Sequence, residues 1–188
     1  IWLVADESFV DFADGDMEDN TLLHREILDA HPSLLVVKSI SKSYGVPGLR
    51  LGIIAGSDTD FIGEMKKQAA IWNINSFGEY YMQIAEKYKG DYRTAMERFK
   101  EVRRAYVQMH SGVPHLRVIP SQANYVLCEL LDGKESRDLT VRLLDRYQLL
   151  IKDLSSKKGL EGGQYIRLAV KRPEENEMMV QALKKELS

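Results

Sequence analysis

A single lysine, Lys42, lies among hydroxyl side chains where an apolar run of the chain ends. The run covers residues 34–37 and has the length and composition of a buried strand. Ser39 and Ser41 precede the lysine, and Arg50 follows it. Only an unprotonated amine forms a Schiff base, and partial burial helps a lysine to lose its proton. Serine hydroxyls and an arginine suit phosphate oxygens. These residue types indicate Schiff-base chemistry with an aldehyde cofactor that carries a phosphate.

The same segment has a plainer interpretation when it is taken alone. Gly45, Pro47 and Gly48 are turn-forming residues. A strand end, a polar turn, a surface lysine and an unrelated arginine would give the same spacing. The lysine segment therefore needs support from elsewhere in the chain.

Two carboxylates follow the first apolar run, residues 1–5. Asp6 and Glu7 would lie at the carboxyl end of a buried strand, where open α/β sheets bind ligands. A buried carboxylate needs a positive partner, and a protonated pyridine nitrogen is such a partner. An acidic turn after a strand is the alternative.

Three segments, in order, resemble the class I/II pyridoxal-phosphate-dependent aminotransferases. They are similar above all to the group of histidinol-phosphate aminotransferase and threonine-phosphate decarboxylase. The segments are Asp-Glu-x-Phe from Asp6, Ser-x-Ser-Lys with Pro-Gly-Leu-Arg-Leu-Gly over residues 39–52, and Tyr-Ile-Arg-Leu-Ala-Val-Lys-Arg-Pro-Glu-Glu-Asn over residues 165–176. The resemblance implies an α/β fold, the PLP-dependent transferase fold of the aspartate aminotransferase type.

The resemblance also implies a role for each residue that matches the cofactor motifs. Lys42 would carry pyridoxal 5'-phosphate (PLP). Ser39, Ser41 and Arg50 would hold its phosphate, and Asp6 would pair with its ring nitrogen.

Phe9 departs from the commoner pattern of this family. Many members have a tyrosine at the matching position, and its hydroxyl bonds the phenolic oxygen of the cofactor. Phe9 would line the cofactor site but cannot donate that bond. Some members of the decarboxylase branch resemble this chain in having phenylalanine here.

Two cations near the end of the chain are the candidate substrate-binding residues. Arg167 alternates with Ile166 and Leu168, so its side chain should lie on the opposite face of the strand. A solvated strand arginine would give the same pattern, but the resemblance implies that Arg167 clamps the α-carboxylate of an amino acid. Lys152 takes roughly the place of a second arginine that binds the substrate phosphate in the histidinol-phosphate branch.

Composition excludes several classes of protein. The 188 residues are 44% hydrophobic and 29% charged, as in an ordinary globular protein. The formal net charge of −2 gives no reason to expect a nucleic acid or membrane partner. Cys128 is the only cysteine, which excludes an internal disulfide and favours a reducing compartment such as the cytoplasm. The acidic residues 13–20 do not match a calcium-binding loop, so we expect a solvated loop and no metal.

The chain begins directly with an apolar run, which predicts a fragment that lacks an N-terminal part. We expect residues 1–90 to be the second half of the large, PLP-binding domain and residues 91–188 to be the small α+β domain. The aromatic stripe from Phe77 should pack in a core, and Gly90 should interrupt the helical pattern. The predicted strands are 1–5, 34–38, 51–55, 116–119, 123–130, 149–152 and 164–170. The predicted helices are 21–30, 58–67, the interrupted pair over 77–109, 136–147 with Leu139, Leu143, Leu144 and Tyr147 inward, and a last helix from Pro173.

The motifs together predict a PLP-dependent aminotransferase of amino acid metabolism. Its substrate would be a small amino acid or amino-alcohol phosphate, and it would work as a homodimer. The fragment alone should be inactive. Decarboxylation of an amino acid phosphate on the same scaffold is the first alternative, and a non-catalytic domain that keeps the fold is the second.

Overall fold

The computed structural model describes the whole chain, Ile1–Ser188, as two compact units, Ile1–Glu97 and Arg98–Ser188. The strands are β1 (Leu3–Asp6), β2 (Leu34–Ser39), β3 (Gly52–Ala55), β4 (Leu116–Ile119), β5 (Tyr125–Leu130), β6 (Lys152–Asp153) and β7 (Gln164–Ala169). The helices are α1 (Met17–Asn20), α2 (Arg25–Ala30), α3 (Ile40–Ser43), α4 (Thr59–Gln68), α5 (Ser76–Ala85), α6 (Lys89–Met109), α7 (Ser136–Tyr147) and α8 (Pro173–Leu187). No helix is both long enough and apolar enough to span a membrane.

The first unit contains a three-stranded sheet in the order β1-β2-β3. β1 runs parallel to β2, and β3 runs antiparallel to it. Leu35 and Val36 of the central strand are buried, as predicted. The prediction of a buried first strand is wrong, because Leu3 is 63% exposed and Val4 is exposed as well. β1 is an edge strand that pairs only with β2, so one flank of it has no neighbour.

A buried carboxylate explains why the second helix begins later than predicted. Glu7 accepts hydrogen bonds from the Thr21 hydroxyl at 2.6 Å and from the Leu22 backbone N–H at 2.5 Å. Thr21 is thereby held in extended backbone, and α2 begins only at Arg25. The expected solvated loop 13–20 also contains a short helix, α1, whose first turn is capped by Asp16.

The long helical region is interrupted before the predicted position. A 3-10 turn at Glu86–Tyr88 separates α5 from α6, and Gly90 lies within the first turn of α6. Phe77 and Tyr80 do not pack in a core: Phe77 is 79% exposed and Tyr80 is also exposed. The stripe is therefore core only in part, since that face of α5 is uncovered in this chain.

The second unit is built on a four-stranded antiparallel sheet in the order β4-β5-β7-β6. Leu139 and Leu143 of α7 are fully buried, as predicted. Leu144 is 46% exposed, which corrects its assignment to the inward face. It follows Leu143 by about 100° around the helix and so turns away from the sheet. The core consists of Tyr106, Val113, Val126, Cys128, Leu130, Leu139, Leu143, Ile151, Ile166, Leu168, Val170, Val180, Ala182, Leu183 and Leu187.

A polar cluster joins α7 and α8. Glu186 of α8 has a side chain only 4% exposed, and it accepts hydrogen bonds from three side chains of α7. The distances are 2.8 Å from Arg142 Nε, 3.0 Å from Arg146 Nη1 and 3.0 Å from the Tyr147 hydroxyl. The carboxylate therefore fixes α7 against the last turns of α8.

Candidate cofactor and substrate sites

Lys42 lies on a single helical turn, α3, directly after the central strand of the first sheet. Its amine is 4.8 Å from the centroid of the Phe9 ring. No carboxylate of the chain forms an ion pair with it. The lysine is exposed, so the partial burial expected from the sequence is absent in this chain. An unpaired, accessible amine over an aromatic face is available for a reaction with an aldehyde.

The structure places Asp6 at the carboxyl end of β1, as predicted, but the residue is exposed in this chain, so the burial expected of its carboxylate is absent. Its Oδ1 accepts the backbone N–H of Ser8 at 2.9 Å. Hydrogen bonds from the Ser8 side chain and backbone lower the pKa of Asp6, and the positive charge of Lys42 lowers it further. The carboxylate is therefore ionised at neutral pH, as a partner for a protonated ring nitrogen must be.

The proposed phosphate donors lie on either side of Lys42. Ser39 ends β2, and its backbone N–H donates to Ser8 Oγ at 3.3 Å, while Ser41 is buried within α3. Arg50 is exposed and has no carboxylate partner, and its Nη1 lies 3.5 Å from the Pro47 carbonyl oxygen. Its backbone is left-handed, with φ 56° and ψ 40°. The guanidinium is thus available to an anion, on a backbone that arginine seldom adopts.

A buried network beside Lys42 was not foreseen from the sequence. Asp11 Oδ1 forms a 2.5 Å ion pair with Lys38 Nζ, and Asp11 Oδ2 accepts the Tyr92 hydroxyl at 2.8 Å. The Tyr92 ring stacks on Tyr44, with centroids 4.0 Å apart and planes 4° apart. The only signals in the sequence were an acid two residues after the Asp-Glu-x-Phe segment and a lysine directly after an apolar run, and neither indicates a partner.

The structure of the second unit brings the two candidate substrate-binding cations together. Lys152 of β6 and Arg167 of β7 are direct partners in the antiparallel pairing, and both are exposed. The Arg167 guanidinium carbon lies 4.9 Å from the centroid of the Tyr125 ring. Ile166 and Leu168 are buried on the other face, as the alternation predicted. Two cations without carboxylate partners on one sheet face can bind an anion.

The donors of the first unit fit PLP by their chemistry. The cofactor needs an unpaired amine, an ionised carboxylate and phosphate donors, and Lys42, Asp6 and Arg50 meet these needs. A metal centre has no comparable support, because the chain contains no cluster of three His, Cys, Asp or Glu side chains able to hold an ion.

Comparison with known proteins finds one family model and several relatives that match nearly the whole chain. The family model for aminotransferases of class I and II matches residues 1–183. A CMP-5'-(3-aminopropyl)phosphonate synthase of Streptomyces rubellomurinus is 33% identical over 97% of this chain and 28% of its own length. An L-serine phosphate decarboxylase of Sulfurospirillum multivorans is 32% identical over 97% of this chain and 46% of its own length.

The solved structures give the same result for the fold. A decarboxylase from Sulfurospirillum multivorans matches with a TM-score of 0.89 and 32% identity, over 100% of this chain and 53% of that one. Threonine-phosphate decarboxylase and histidinol-phosphate aminotransferase sequences also match, at 29% and 28% identity, which confirms the resemblance to that group. The chain spans at most about half the length of these relatives.

Proposed function

Because the chain belongs to the class I and II aminotransferase family, whose enzymes depend on PLP, we propose that it carries the cofactor lysine of an enzyme that acts on an amino acid phosphate. The observation that carries the proposal is the unpaired Lys42 amine, which lies over Phe9 in the same unit as an ionised Asp6. The relatives' names support a phosphate-bearing substrate.

Each candidate site residue of the first unit has a defined role in this proposal. PLP, when bound, supplies an electron sink for the electron pair of a bond at the substrate α-carbon. Asp6 holds the positive charge of the ring nitrogen, and Ser39, Ser41 and Arg50 hold the phosphate. The Lys42 amine moves a proton at the α-carbon of the substrate.

The second unit supplies anion-binding residues in the same proposal. Arg167 binds the carboxylate of the amino acid with two parallel N–H donors, and its packing on Tyr125 limits the directions in which the guanidinium can point. Lys152 binds the substrate phosphate as a point charge. The residues of the large domain, 1–90, would carry the cofactor, and those of the small domain, 91–188, would carry these anion sites.

Decarboxylation is the reaction that we favour for this enzyme. The relative from Sulfurospirillum multivorans with 32% identity is named a serine phosphate decarboxylase, and Phe9 lacks the hydroxyl found in many aminotransferases of the family. Transamination, the reaction indicated by the motifs alone, is the second candidate, because the family model that matches the chain is that of aminotransferases.

Trapping and product analysis test both parts of the proposal in the full-length gene product. After incubation with PLP and borohydride, peptide mass spectrometry should find the cofactor on Lys42. The Lys42→Ala variant should lose this attachment, and Lys67→Ala, which changes an exposed lysine, should keep it.

The products of the full-length protein distinguish the two reactions. L-serine phosphate should yield carbon dioxide and ethanolamine phosphate. An oxo acid that forms only with added 2-oxoglutarate would indicate transamination. A full-length protein without trapped PLP at Lys42 would support the alternative of a non-catalytic domain that keeps the fold.

We also propose that the full-length protein is a homodimer. Four large apolar side chains close together in the sequence, before α5 and in its first turns, are exposed: Ile71, Trp72, Phe77 and Tyr80. Large exposed apolar surfaces mark protein interfaces. Sedimentation of the full-length product should show a dimer that Trp72→Ser weakens. A monomer at all concentrations would contradict this proposal.

A further inference from the structure

The ion pair between Asp11 and Lys38 is one of the most enclosed charged contacts of the first unit. The Asp11 side chain is 6% exposed and that of Lys38 is 13% exposed, with 2.5 Å between Oδ1 and Nζ. Burying two charges costs solvation free energy that the attraction between them often fails to offset. Stability alone is therefore a weak reason for this pair, so the elements that it joins are of interest.

The second oxygen of Asp11 brings in a third element. It accepts the Tyr92 hydroxyl from the first turn of α6 at 2.8 Å. Burial raises the pKa of Tyr92, so the hydroxyl stays protonated and remains a donor. The Tyr92 ring in turn stacks face to face on Tyr44. Asp11 thus connects a turn, a strand and a helix through contacts with defined geometry.

Three residues of this network are within two positions, along the sequence, of a residue in the proposed cofactor site. Asp11 follows Phe9, whose ring lies under the Lys42 amine, by two residues. Lys38 immediately precedes Ser39, and Tyr44 follows Lys42 by two residues. The network therefore holds the chain before Lys42, the chain after it and the ring against which its amine lies.

We infer that Asp11 and Tyr92 are positioning residues that fix the Lys42 amine relative to Phe9 and the phosphate donors. This inference rests on the proposed function, because it assigns the network a role in cofactor binding. Tyr92 acts through Asp11 and through Tyr44. Neither Asp11 nor Tyr92 needs to touch the cofactor.

The most informative variant removes one hydroxyl and keeps the rest. Tyr92→Phe retains the ring that stacks on Tyr44 but loses the hydrogen bond to a buried carboxylate. We expect its PLP dissociation constant to rise about tenfold, because the Lys42 segment would hold the binding-competent arrangement for only about a tenth of the time. Tyr92→Leu, which loses the stacking as well, should bind still more weakly. Tyr88→Phe, the same substitution on an exposed tyrosine, is the matched control.

The measurements should be made on the full-length product with added PLP. The visible circular dichroism of bound PLP at saturation reports how rigidly the cofactor is held, and the thermal midpoint of the cofactor-free protein reports stability. Tyr92→Phe should reduce the dichroism and raise the dissociation constant, while Tyr88→Phe changes neither. Asp11→Asn, which also leaves Lys38 without its charged partner, should have a larger effect on both quantities if it folds.

The inference would be overturned if Tyr92→Phe bound PLP within about twofold of the parent with unchanged dichroism. It would also be overturned if only the thermal midpoint fell, since that result would describe a purely structural network. Failure of the proposed function is a different result, because the parent itself would then show no PLP on Lys42.

Discussion

Arg50 combines a charged side chain with a backbone conformation that glycine adopts more readily. Arg50→Gly should therefore relieve the left-handed strain and raise the free energy of unfolding by up to about 1 kcal/mol, less the chain entropy that glycine loses. In the full-length product the same change should weaken PLP binding about tenfold, because a charge-assisted phosphate contact is lost. Urea unfolding without PLP and a PLP titration measure the two effects.

Gln148→Gly is the matched control for Arg50→Gly. Gln148 has nearly the same backbone, with φ 58° and ψ 30°, but ends α7 in the other unit. It should show the gain in stability with no change in PLP affinity. Equal PLP affinities for parent and Arg50→Gly would remove Arg50 from the phosphate site.

His110 should make the stability of the second unit depend on pH. It is buried, and its Nδ1 lies 2.7 Å from the Tyr106 carbonyl oxygen, so the neutral ring donates there. Burial lowers the pKa of His110 below the ordinary value of a histidine side chain. Since the unfolded state binds the proton more readily, this contribution is present above about pH 6.5 and is lost as the pH falls through the folded value.

Urea unfolding between about pH 7.5 and pH 5 checks this dependence. His110→Phe keeps a ring against Tyr106 and should lose stability less steeply on acidification than the parent. His31→Gln, at an exposed histidine, should follow the parent curve. Parallel curves for parent and His110→Phe would show that His110 does not titrate across unfolding.

At the residue scale, the chemistry of the candidate site could be predicted from the sequence more fully than the contacts between its residues. The residue types around Lys42 and the alternation at Arg167 have local physical meaning, so both could be interpreted before any coordinates. The Asp11–Lys38 pair could not, because 27 residues separate its members and only the parallel pairing of β1 with β2 brings them near. The site roles themselves remain predictions.

Among the elements, the contact between α7 and α8 depends on one carboxylate. Glu186→Gln keeps the shape of the side chain but removes the charge shared by Arg142, Arg146 and Tyr147. We expect a loss of about 1–3 kcal/mol in the free energy of unfolding, because the hydrogen bonds of this buried side chain lose the negative charge that strengthens them. Glu64→Gln, in an exposed pair with Lys67, should cost at most about 0.5 kcal/mol.

Thermal and urea unfolding of the three proteins decide this prediction. A Glu186→Gln variant as stable as Glu64→Gln would mean that apolar packing alone holds the two helices together. Glu186→Ala, which also removes the packing of the side-chain stem, would then give the larger loss expected for that case.

Helix boundaries were predictable where a side chain caps the backbone locally. Asp58 caps α4 at the predicted start of that helix, and Pro173 opens α8 as the sequence indicated. The break at Glu86–Tyr88 was not predictable, since the residues on either side of it, Ala85 and Lys89, keep right-handed helical dihedrals. The late start of α2 depends on Glu7, which is distant in the sequence, and so it could not be predicted either.

At the scale of the whole molecule, the two units differ in how much apolar surface they bury. The second unit has a continuous core under its sheet, whereas the buried apolar residues of the first unit are few. Residues 89–188, which keep α6 intact, should therefore unfold cooperatively when expressed alone. Residues 1–88 should show a broad transition and bind a hydrophobic dye.

Circular dichroism melting and a dye-binding assay of both pieces test this prediction. A sharp transition for residues 1–88 would mean that three strands and their helices suffice for a cooperative fold. A second unit without a transition would show that its core needs the remainder of the chain.

Cys128 lies in the same core on β5, an inner strand of the sheet, and burial raises the pKa of its thiol to about 12. Since only the thiolate reacts readily, maleimide reagents should leave this sulfur untouched until the sheet separates. Because this is the only thiol of the chain, the rate of its labelling at increasing urea concentration would measure the separation of β5 from β7. Its burial also leaves the surface open for site-directed spin or dye labels, with no native thiol to remove first.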